Sequence, residues 1–335
     1  MRPVQDLETT LRSLPKVELH VHLEGSFTAG RIVELARAAG EPLPEAPDRL
    51  LAVGSLPALL ARLDWWCGLV RSAEQAEAQA HDFAGALAAD GVAYAEVIVN
   101  PTHWSGLPRP VLLEAVSAGF GRAAAEGHAD CWLLVSLLRS QTEDGALEVV
   151  RELERRPPER LVGLSIDGNE AETGPTGGRF APAFGLAGAL GLGRVAHAGE
   201  SSGPEGVVSA LDDLGVSRVD HGIRIVEDDG VLRRVADQGV TLDVCLSSNL
   251  ALVHPDLELH PIRRLVDAGV AVTINTDDPA TLGVTLTGEL ALATRHLGWG
   301  RAGAVAAVAR AIDASFASGA TRAALRSGLA AYAAV

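Results

Sequence analysis

Eight short apolar segments, nearly all separated by helical segments, follow one another along this chain of 335 residues. We predict the first strand in the stretch 17–25 and the others at 92–99, 131–138, 161–167, 194–197, 218–221, 240–245 and 270–275. An open doubly wound sheet usually has fewer strands and a glycine-rich phosphate loop after the first. The alternation therefore predicts an α/β fold, a closed (β/α)8 barrel of the TIM type, as a single domain over residues 1–335.

Two helical regions lie outside the regular alternation. The first, at about residues 28–90, is an insertion between strands one and two, with apolar positions at helical spacing between Pro and Gly breaks. The second is the alanine-rich stretch 302–335, which we expect to pack on the outside of the barrel. Within the insertion, Trp65 and Trp66 fit either core packing or an apolar lid over a ligand ring, and both interpretations stay open.

The net charge and the cysteine content limit the classes of partner and the cellular compartment that are expected for this chain. A net charge of −15 argues against nucleic acid or an anionic membrane surface, since both are bound by clustered Lys and Arg, so small molecules are the expected partners. No stretch approaches the ~20 apolar residues of a membrane span. Three widely spaced cysteines are not expected to form a disulfide framework. The cysteine pattern and the lack of a membrane span together indicate a soluble, cytoplasmic protein.

Lys16 is the only lysine in the chain. A phosphate-binding loop needs a Gly-Lys pair, pyridoxal chemistry needs a Schiff-base lysine, and a kinase needs a strand lysine on the phosphates. Lys16 precedes the first strand, where none of these would place it. These three classes of enzyme are therefore excluded.

Polar side chains concentrate where the predicted strands end. In a barrel of this kind the active site lies at the C-terminal ends of the strands. The polar strand ends are His20, His22 and Glu24 on strand one, Asp167-Gly168 on strand four, His197 to Glu200 on strand five, Asp220-His221 on strand six and Asn275 to Asp278 on strand eight. His20 and His22 also share one face of their strand, because side chains alternate with period two.

Three imidazoles and one carboxylate can hold a zinc ion and leave a position for water, as catalytic zinc sites do. We predict one zinc per chain, and its ligands are His20, His22, His197 and Asp277. Zinc can lower the pKa of bound water from ~15.7 to ~7. No lysine is available to bridge two metals, which favours a single ion.

The neighbours of these ligands have the chemistry of catalytic groups. Glu200 is placed to donate or shuttle a proton, and His221 to orient the attacking water as a base or electrostatic partner, with Asp220 or a neighbour fixing its tautomer. Asp278 diverges from Asp277 and suits hydrogen bonding to a substrate, while the backbone N–H of Gly168 can approach a planar ligand closely.

The remaining polar groups receive structural interpretations. Glu18 lies deeper in the barrel, where we expect a salt bridge at the floor. Five histidines lie in helices or loops and are read as structural or solvated: His81, His103, His128, His254 and His260.

Together these motifs resemble the adenosine deaminase family. Val17 to Gly25 looks like its opening motif, His197 to Glu200 its metal-and-acid motif, Asp220 to Gly222 its histidine motif, and Asn275 to Pro279 its Asp-Asp motif. The likeness runs in order from about residue 15 to 290. It implies a (β/α)8 hydrolase in which the four predicted ligands hold one zinc ion.

The resemblance also implies roles around a purine ring. Glu200 would protonate N1, His221 would align the nucleophile for attack at C6, Asp278 would bind N7, Gly168 would bind N3, and ammonia would leave. The ligands differ from the His/Cys set of cytidine-type zinc deaminases.

Three departures from the family pattern concern the substrate. Glu24 stands where adenosine-specific members usually carry an aspartate that contacts ribose, Asp167 where they tend to carry alanine, and Leu246 where a proline usually follows the cysteine. We therefore include Glu24, with Trp65 and Trp66, among the candidate substrate-binding residues.

The predicted reaction is hydrolytic removal of the 6-amino group of an adenine-type purine, with adenosine as first choice. Adenine and 6-amino-6-deoxyfutalosine are the nearest alternatives. Two other hypotheses are hydrolysis of a cyclic amide on the same metal and a barrel that binds a purine or metal without turnover; the presence of Glu200 and His221 disfavours the last, since a mere binder needs neither. The oligomeric state cannot be read from the sequence.

Overall fold

The computed structural model of this protein describes residues 4–334. Eight parallel strands form one sheet in the order β1 to β8. Their bounds are Lys16–His22 (β1), Val92–Val99 (β2), Asp130–Leu138 (β3), Leu161–Asp167 (β4), Gly193–Ala198 (β5), Arg218–His221 (β6), Thr241–Val244 (β7) and Ala271–Ile274 (β8). The predicted (β/α)8 barrel is confirmed, with strand ends within about three residues of those expected.

Sixteen α-helices occur in the described residues. They are Val4–Arg12 (α1), Ala29–Ala39 (α2), Leu56–Cys67 (α3), Ala73–Ala89 (α4), Arg109–Ala125 (α5), Glu143–Arg155 (α6), Glu170–Thr173 (α7), Ala181–Ala189 (α8), Pro204–Ser209 (α9), Asp229–Asp237 (α10), Leu246–Leu252 (α11), Ile262–Asp267 (α12), Pro279–Leu282 (α13), Leu286–Leu297 (α14), Gly300–Ala314 (α15) and Gly319–Ala333 (α16). The segment between β1 and β2 contains α2 to α4, and the C-terminal stretch forms α15 and α16.

The loop between β8 and α13 completes the barrel next to its first strand. Asn275 Oδ1 accepts hydrogen bonds from the backbone N–H groups of Leu19 (2.9 Å) and His20 (3.2 Å). The backbone of Asp277 then pairs with β1, since His22 N donates to Asp277 O at 2.8 Å and Asp277 N donates to His20 O at 3.2 Å. This pairing fixes Asp277 beside the two histidines of β1.

The floor of the barrel contains a buried ion-pair network. The guanidinium of Arg218 lies 2.7 Å from Glu96 Oε2 and 2.6 Å from Asp243 Oδ2, and all three side chains are buried. Glu18, expected in a salt bridge here, instead accepts hydrogen bonds from Thr276 N (3.1 Å) and Thr276 Oγ1 (2.5 Å). The expected salt bridge was wrong, because Thr276 in the loop after β8 supplies the hydrogen-bond donors to Glu18 in place of a cationic side chain.

The three cysteines are buried and free, so no disulfide stabilises this fold. Within residues 4–334, no helix has both the length and the apolar character that crossing a membrane requires.

Candidate active site

Histidine and aspartate side chains from four strand ends converge at one end of the barrel. Four of them place one nitrogen or oxygen each within 4.8 Å of one another: His20, His197, His221 and Asp277. His22 joins this group, because its Nε2 atom lies 3.1 Å from His197 Nε2 and 3.3 Å from Asp277 Oδ1. The structure thus brings together the four predicted zinc ligands, with His221 as a close fifth neighbour.

The spacing of these atoms fits a shared zinc ion. Nitrogen and oxygen ligands about 2.0–2.1 Å from zinc in a tetrahedron lie about 3.3 Å from one another. The observed separations are 3.1 Å between His20 Nε2 and Asp277 Oδ1, and 3.1 Å between His22 Nε2 and His197 Nε2. Burial also lowers the pKa of His22 to about 4, which keeps its ring neutral and its lone pair available.

Asp220 orients two of the ligands from behind. Its carboxylate oxygens lie 3.3 Å from His20 Nδ1 and 3.2 Å from His197 Nδ1, and its side chain is fully buried. A proton held on each Nδ1 directs the Nε2 lone pairs of both rings toward the metal position. The sequence had linked Asp220 with His221, but the carboxylate faces the metal ligands instead.

His221 is held by a different chain of hydrogen bonds. Ile262 N donates to His260 Nδ1 (3.2 Å), so the proton of that ring lies on Nε2, which faces Asn249 Oδ1 at 3.3 Å. The Asn249 amide nitrogen then donates to His221 Nδ1 at 3.1 Å. Neutral His221 consequently carries its proton on Nε2, the atom 3.7 Å from both Glu200 and Asp277.

The backbone is strained at two of these residues. His221 and Asp277 have φ values of 61° and 66°, in the left-handed region that residues other than glycine rarely adopt. Ser248, in α11, donates to Asp277 Oδ2 at 2.6 Å and helps to hold that side chain. Such strain is typical of side chains whose direction matters for function.

Glu200 belongs to a loop that a second glutamate clamps. Glu170, which is 2% exposed, accepts hydrogen bonds from the backbone of Gly199 (3.2 Å), Glu200 (3.0 Å) and Ser202 (3.4 Å). The guanidinium of Arg139 lies 3.8 Å from Glu170 Oε1. Burial, together with the charge of neighbouring carboxylates, raises the pKa of Glu200 to about 7, so it can carry a proton at neutral pH.

Replacing Glu170 with glutamine is expected to lower kcat about 10-fold while KM and metal content change little. An amide group cannot accept all of the N–H bonds that the carboxylate accepts, so the Glu200 loop loses its fixed position. Buried Arg139 also loses its counter-charge, which should destabilise the fold by about 3 kcal/mol. Steady-state kinetics and thermal unfolding measure both effects; Ser202→Ala, which removes one hydroxyl donor to Glu170, serves as the milder control. Equal kcat values for Glu170→Gln and the unaltered enzyme would contradict the positioning role.

A cavity opens onto the converged side chains. Its polar wall contains Asp167, Gly168, Glu200 and Asp278 beside the histidine cluster, and its apolar wall is formed by Leu56, Leu59, Leu60 and Leu63 of α3 with Leu252 of α11. Asp278 is 4% exposed and its Oδ1 atom has no hydrogen-bond partner. The residues predicted to act on a substrate at Gly168, Glu200, His221 and Asp278 thus share one cavity.

The aromatic pair of the insertion does not line this cavity. Trp66 is fully buried and donates from Nε1 to the backbone oxygen of Glu24 at 2.9 Å, and Trp65 packs against the core. The leucines of the same helix form the apolar cover instead. The prediction that Trp65 and Trp66 bind the substrate is therefore corrected. The face of α3 that carries the two tryptophans packs against the core.

Glu24 lies one layer behind the cavity wall. Its Oε1 atom accepts hydrogen bonds from Asn100 N (2.8 Å) and Trp104 Nε1 (2.6 Å), and its side chain is fully buried. Strand β1 ends at His22, and a 3-10 turn at Glu24–Ser26 directs Glu24 away from the cavity. Glu24 therefore does not line the cavity in this structure.

His103, read from sequence as structural or solvated, is only 5% exposed and lines the cavity. Its Nδ1 atom lies 2.7 Å from Asp64 Oδ1. His103 and Glu170 lie three or four residues beyond the ends of their strands, whereas the predicted histidine ligands lie within strands, so only packing reveals these two residues.

The fold and this cluster define a metal-dependent hydrolase built on a (β/α)8 barrel. The profile of the adenosine deaminase family matches residues 15–332, and the chain belongs to that family.

Similar proteins match most of the length of this chain. A protein of Cupriavidus metallidurans named adenine deaminase is 38% identical over 287 residues, which cover 83% of this chain and 79% of that protein. The crystal structure of an adenine deaminase from Arthrobacter aurescens has a TM-score of 0.90 and 28% identity, covering 96% of this chain and 100% of the other. A Burkholderia ambifaria amidohydrolase with bound zinc has a TM-score of 0.89 and 31% identity, covering 96% and 91%.

Proposed function

We propose that this protein converts free adenine and water into hypoxanthine and ammonia, with one zinc ion per chain. The observation that carries this proposal is a single cavity that contains the His/Asp cluster and a buried Glu200 with a pKa of about 7. A zinc ion held by this His/Asp cluster would supply an activated water, and the protonated carboxyl group of Glu200 beside it would supply the proton that a ring nitrogen needs.

Each group has a defined task in this scheme. His20, His22, His197 and Asp277 would hold the zinc ion, which lowers the pKa of water when bound. Glu200 donates a proton to N1 as the water oxygen forms its bond to C6, and regains a proton from that water. The second water proton leaves with the 6-amino group as ammonia, when the C6–N6 bond breaks.

His221 acts as a hydrogen-bond donor in this proposal. Its Nδ1 atom already accepts from Asn249, so the neutral ring offers an N–H at Nε2 toward the reacting water. Of the two roles left open by the sequence, the electrostatic partner is therefore favoured over the base. Asp278 and Gly168 remain the proposed contacts to the opposite edge of the ring.

The preferred substrate changes from the expectation drawn from the sequence. Adenosine was the first choice there, and adenine is better supported, because the relatives named above act as adenine deaminases by name. The residues that line the cavity include no Arg or Lys to bind a phosphate. The same proposal includes a cytoplasmic site of action, one hydrolase domain over residues 1–335, and a helical insertion that covers the substrate.

A substrate panel tests the proposal. Holoenzyme is mixed with adenine, adenosine and 6-amino-6-deoxyfutalosine, and ammonia release is followed together with the ultraviolet change. We expect kcat/KM for adenine to exceed that for adenosine by about 100-fold. A higher kcat/KM for either nucleoside would refute adenine as the preferred substrate, and no ammonia from any of the three would refute deamination.

A further inference from the structure

Asp167 places a buried carboxylate oxygen without a partner at the cavity wall. The residue ends β4, is 5% exposed and lines the cavity next to Gly168. Its Oδ1 atom accepts a hydrogen bond from the Asn100 amide nitrogen at 2.5 Å. Its Oδ2 atom is buried and has no hydrogen-bond partner in the protein.

The direction of this carboxylate is fixed by the residues behind it. Asn100 Oδ1 accepts from Thr102 N (3.1 Å) and Thr102 Oγ1 (2.5 Å), so the amide nitrogen must face Asp167. The backbone N–H of Asn100 donates to Glu24 Oε1 at 2.8 Å. Glu24 therefore affects the cavity indirectly, by holding Asn100 and through it Asp167.

An unpartnered carboxylate oxygen in a buried site favours a ligand that brings a hydrogen-bond donor. His103, which also lines the cavity, already pairs with Asp64. Free adenine carries one N–H on its imidazole ring, whereas the nucleosides carry a glycosidic bond at N9. A free base can therefore satisfy Oδ2 of Asp167 with a ring donor that a nucleoside lacks.

We propose that Asp167 is a specificity-determining residue that accepts a hydrogen bond from the imidazole N–H of a free purine base. This inference rests on the proposed function and deepens it, because it explains why the site selects a base rather than a nucleoside. Asn100 and Glu24 are positioning residues in this arrangement.

The test compares ligands that differ only in that N–H group. Adenine and 9-methyladenine are used as substrates, and hypoxanthine and 9-methylhypoxanthine as ligands in calorimetry, with the unaltered holoenzyme and Asp167→Ala. We expect Asp167→Ala to lower kcat/KM for adenine and affinity for hypoxanthine about 30-fold. Values for the two 9-methyl compounds should stay within about 2-fold or improve, since they have no proton for Asp167 to accept.

Two controls separate this role from general damage. Metal content must remain unchanged in Asp167→Ala, since the carboxylate lies near the histidine cluster. Glu172→Gln, an exposed carboxylate in the short helix after the same strand, should match the unaltered enzyme with every ligand.

The outcomes distinguish this inference from the proposed function. Equal losses for the N–H and 9-methyl compounds, or an unchanged preference for hypoxanthine, would overturn the role of Asp167 even if adenine is deaminated. A loss restricted to the 9-methyl compounds would overturn it as well, because those compounds have no ring N–H for Asp167 to bind. If no purine is turned over while hypoxanthine binding still depends on Asp167, the proposed reaction fails and the recognition role stands.

Discussion

Glu200→Gln is expected to lose nearly all turnover while the metal content of the protein stays unchanged. Glutamine keeps the size and the burial of the side chain but has no carboxyl proton to transfer to a ring nitrogen. The loss should be about 1000-fold in kcat, which corresponds to about 4 kcal/mol of transition-state stabilisation. Metal analysis and steady-state kinetics on the same preparation measure both quantities.

Glu205→Gln is the matched control for this substitution. Glu205 lies five positions further along, is exposed, and accepts a hydrogen bond from Gly203 N at 3.0 Å without lining the cavity. It should retain full activity. If Glu200→Gln kept more than about a tenth of the activity with normal metal content, a proton donor other than Glu200 would have to serve the reaction.

Gly25→Ala should reduce kcat/KM for adenine about 100-fold although it adds only one methyl group. A Cβ atom at Gly25 would lie 2.0 Å from Asp278 Oδ1 and 2.5 Å from Asp278 Cα, so both the carboxylate and its backbone must move. Asp278 is the proposed contact to the purine edge, and a shift of about 1 Å in a positioning group is costly. The glycine of the opening motif thus makes room for the last motif of the chain.

The second helix offers a control for this prediction. A Cβ atom at Gly30 in α2 meets only Thr28 Oγ1, at 4.0 Å, so Gly30→Ala should fold and react normally. Normal kinetics in Gly25→Ala would show that Asp278 tolerates displacement and does not position the substrate. Circular dichroism and thermal unfolding establish that each variant is folded.

The proximity of the candidate metal ligands could be predicted from the sequence, because barrel geometry brings distant strand ends to one face. Parallel strands present their C-terminal ends at one face, so the sequence alone predicts that His20, His197 and Asp277 lie close together. The strand bounds could also be predicted, because runs of β-branched and apolar residues alternate along the chain with segments that have helical periodicity. Only the orientation of the groups around them needed the structure.

Contacts between neighbouring helices, strands and loops could not be predicted from the sequence. Helical periodicity could not tell which face of α3 lines the cavity, and the structure places the leucines there rather than Trp65 and Trp66. A 3-10 turn after β1 turned Glu24 toward Asn100, which sequence spacing does not indicate. The hydrogen bonds from His260 through Asn249 to His221 join a loop, helix α11 and the end of β6, so only packing could reveal them.

The central claim is that this chain replaces the 6-amino group of adenine with an oxygen atom from water. Turnover of adenine by the zinc-loaded protein in water enriched in oxygen-18 tests it most directly, with mass spectrometry of the purine and assay of the ammonia. The account predicts hypoxanthine that carries one heavy oxygen at C6 and one ammonia per product. Adenine recovered unchanged, or hypoxanthine without the heavy oxygen, would contradict it.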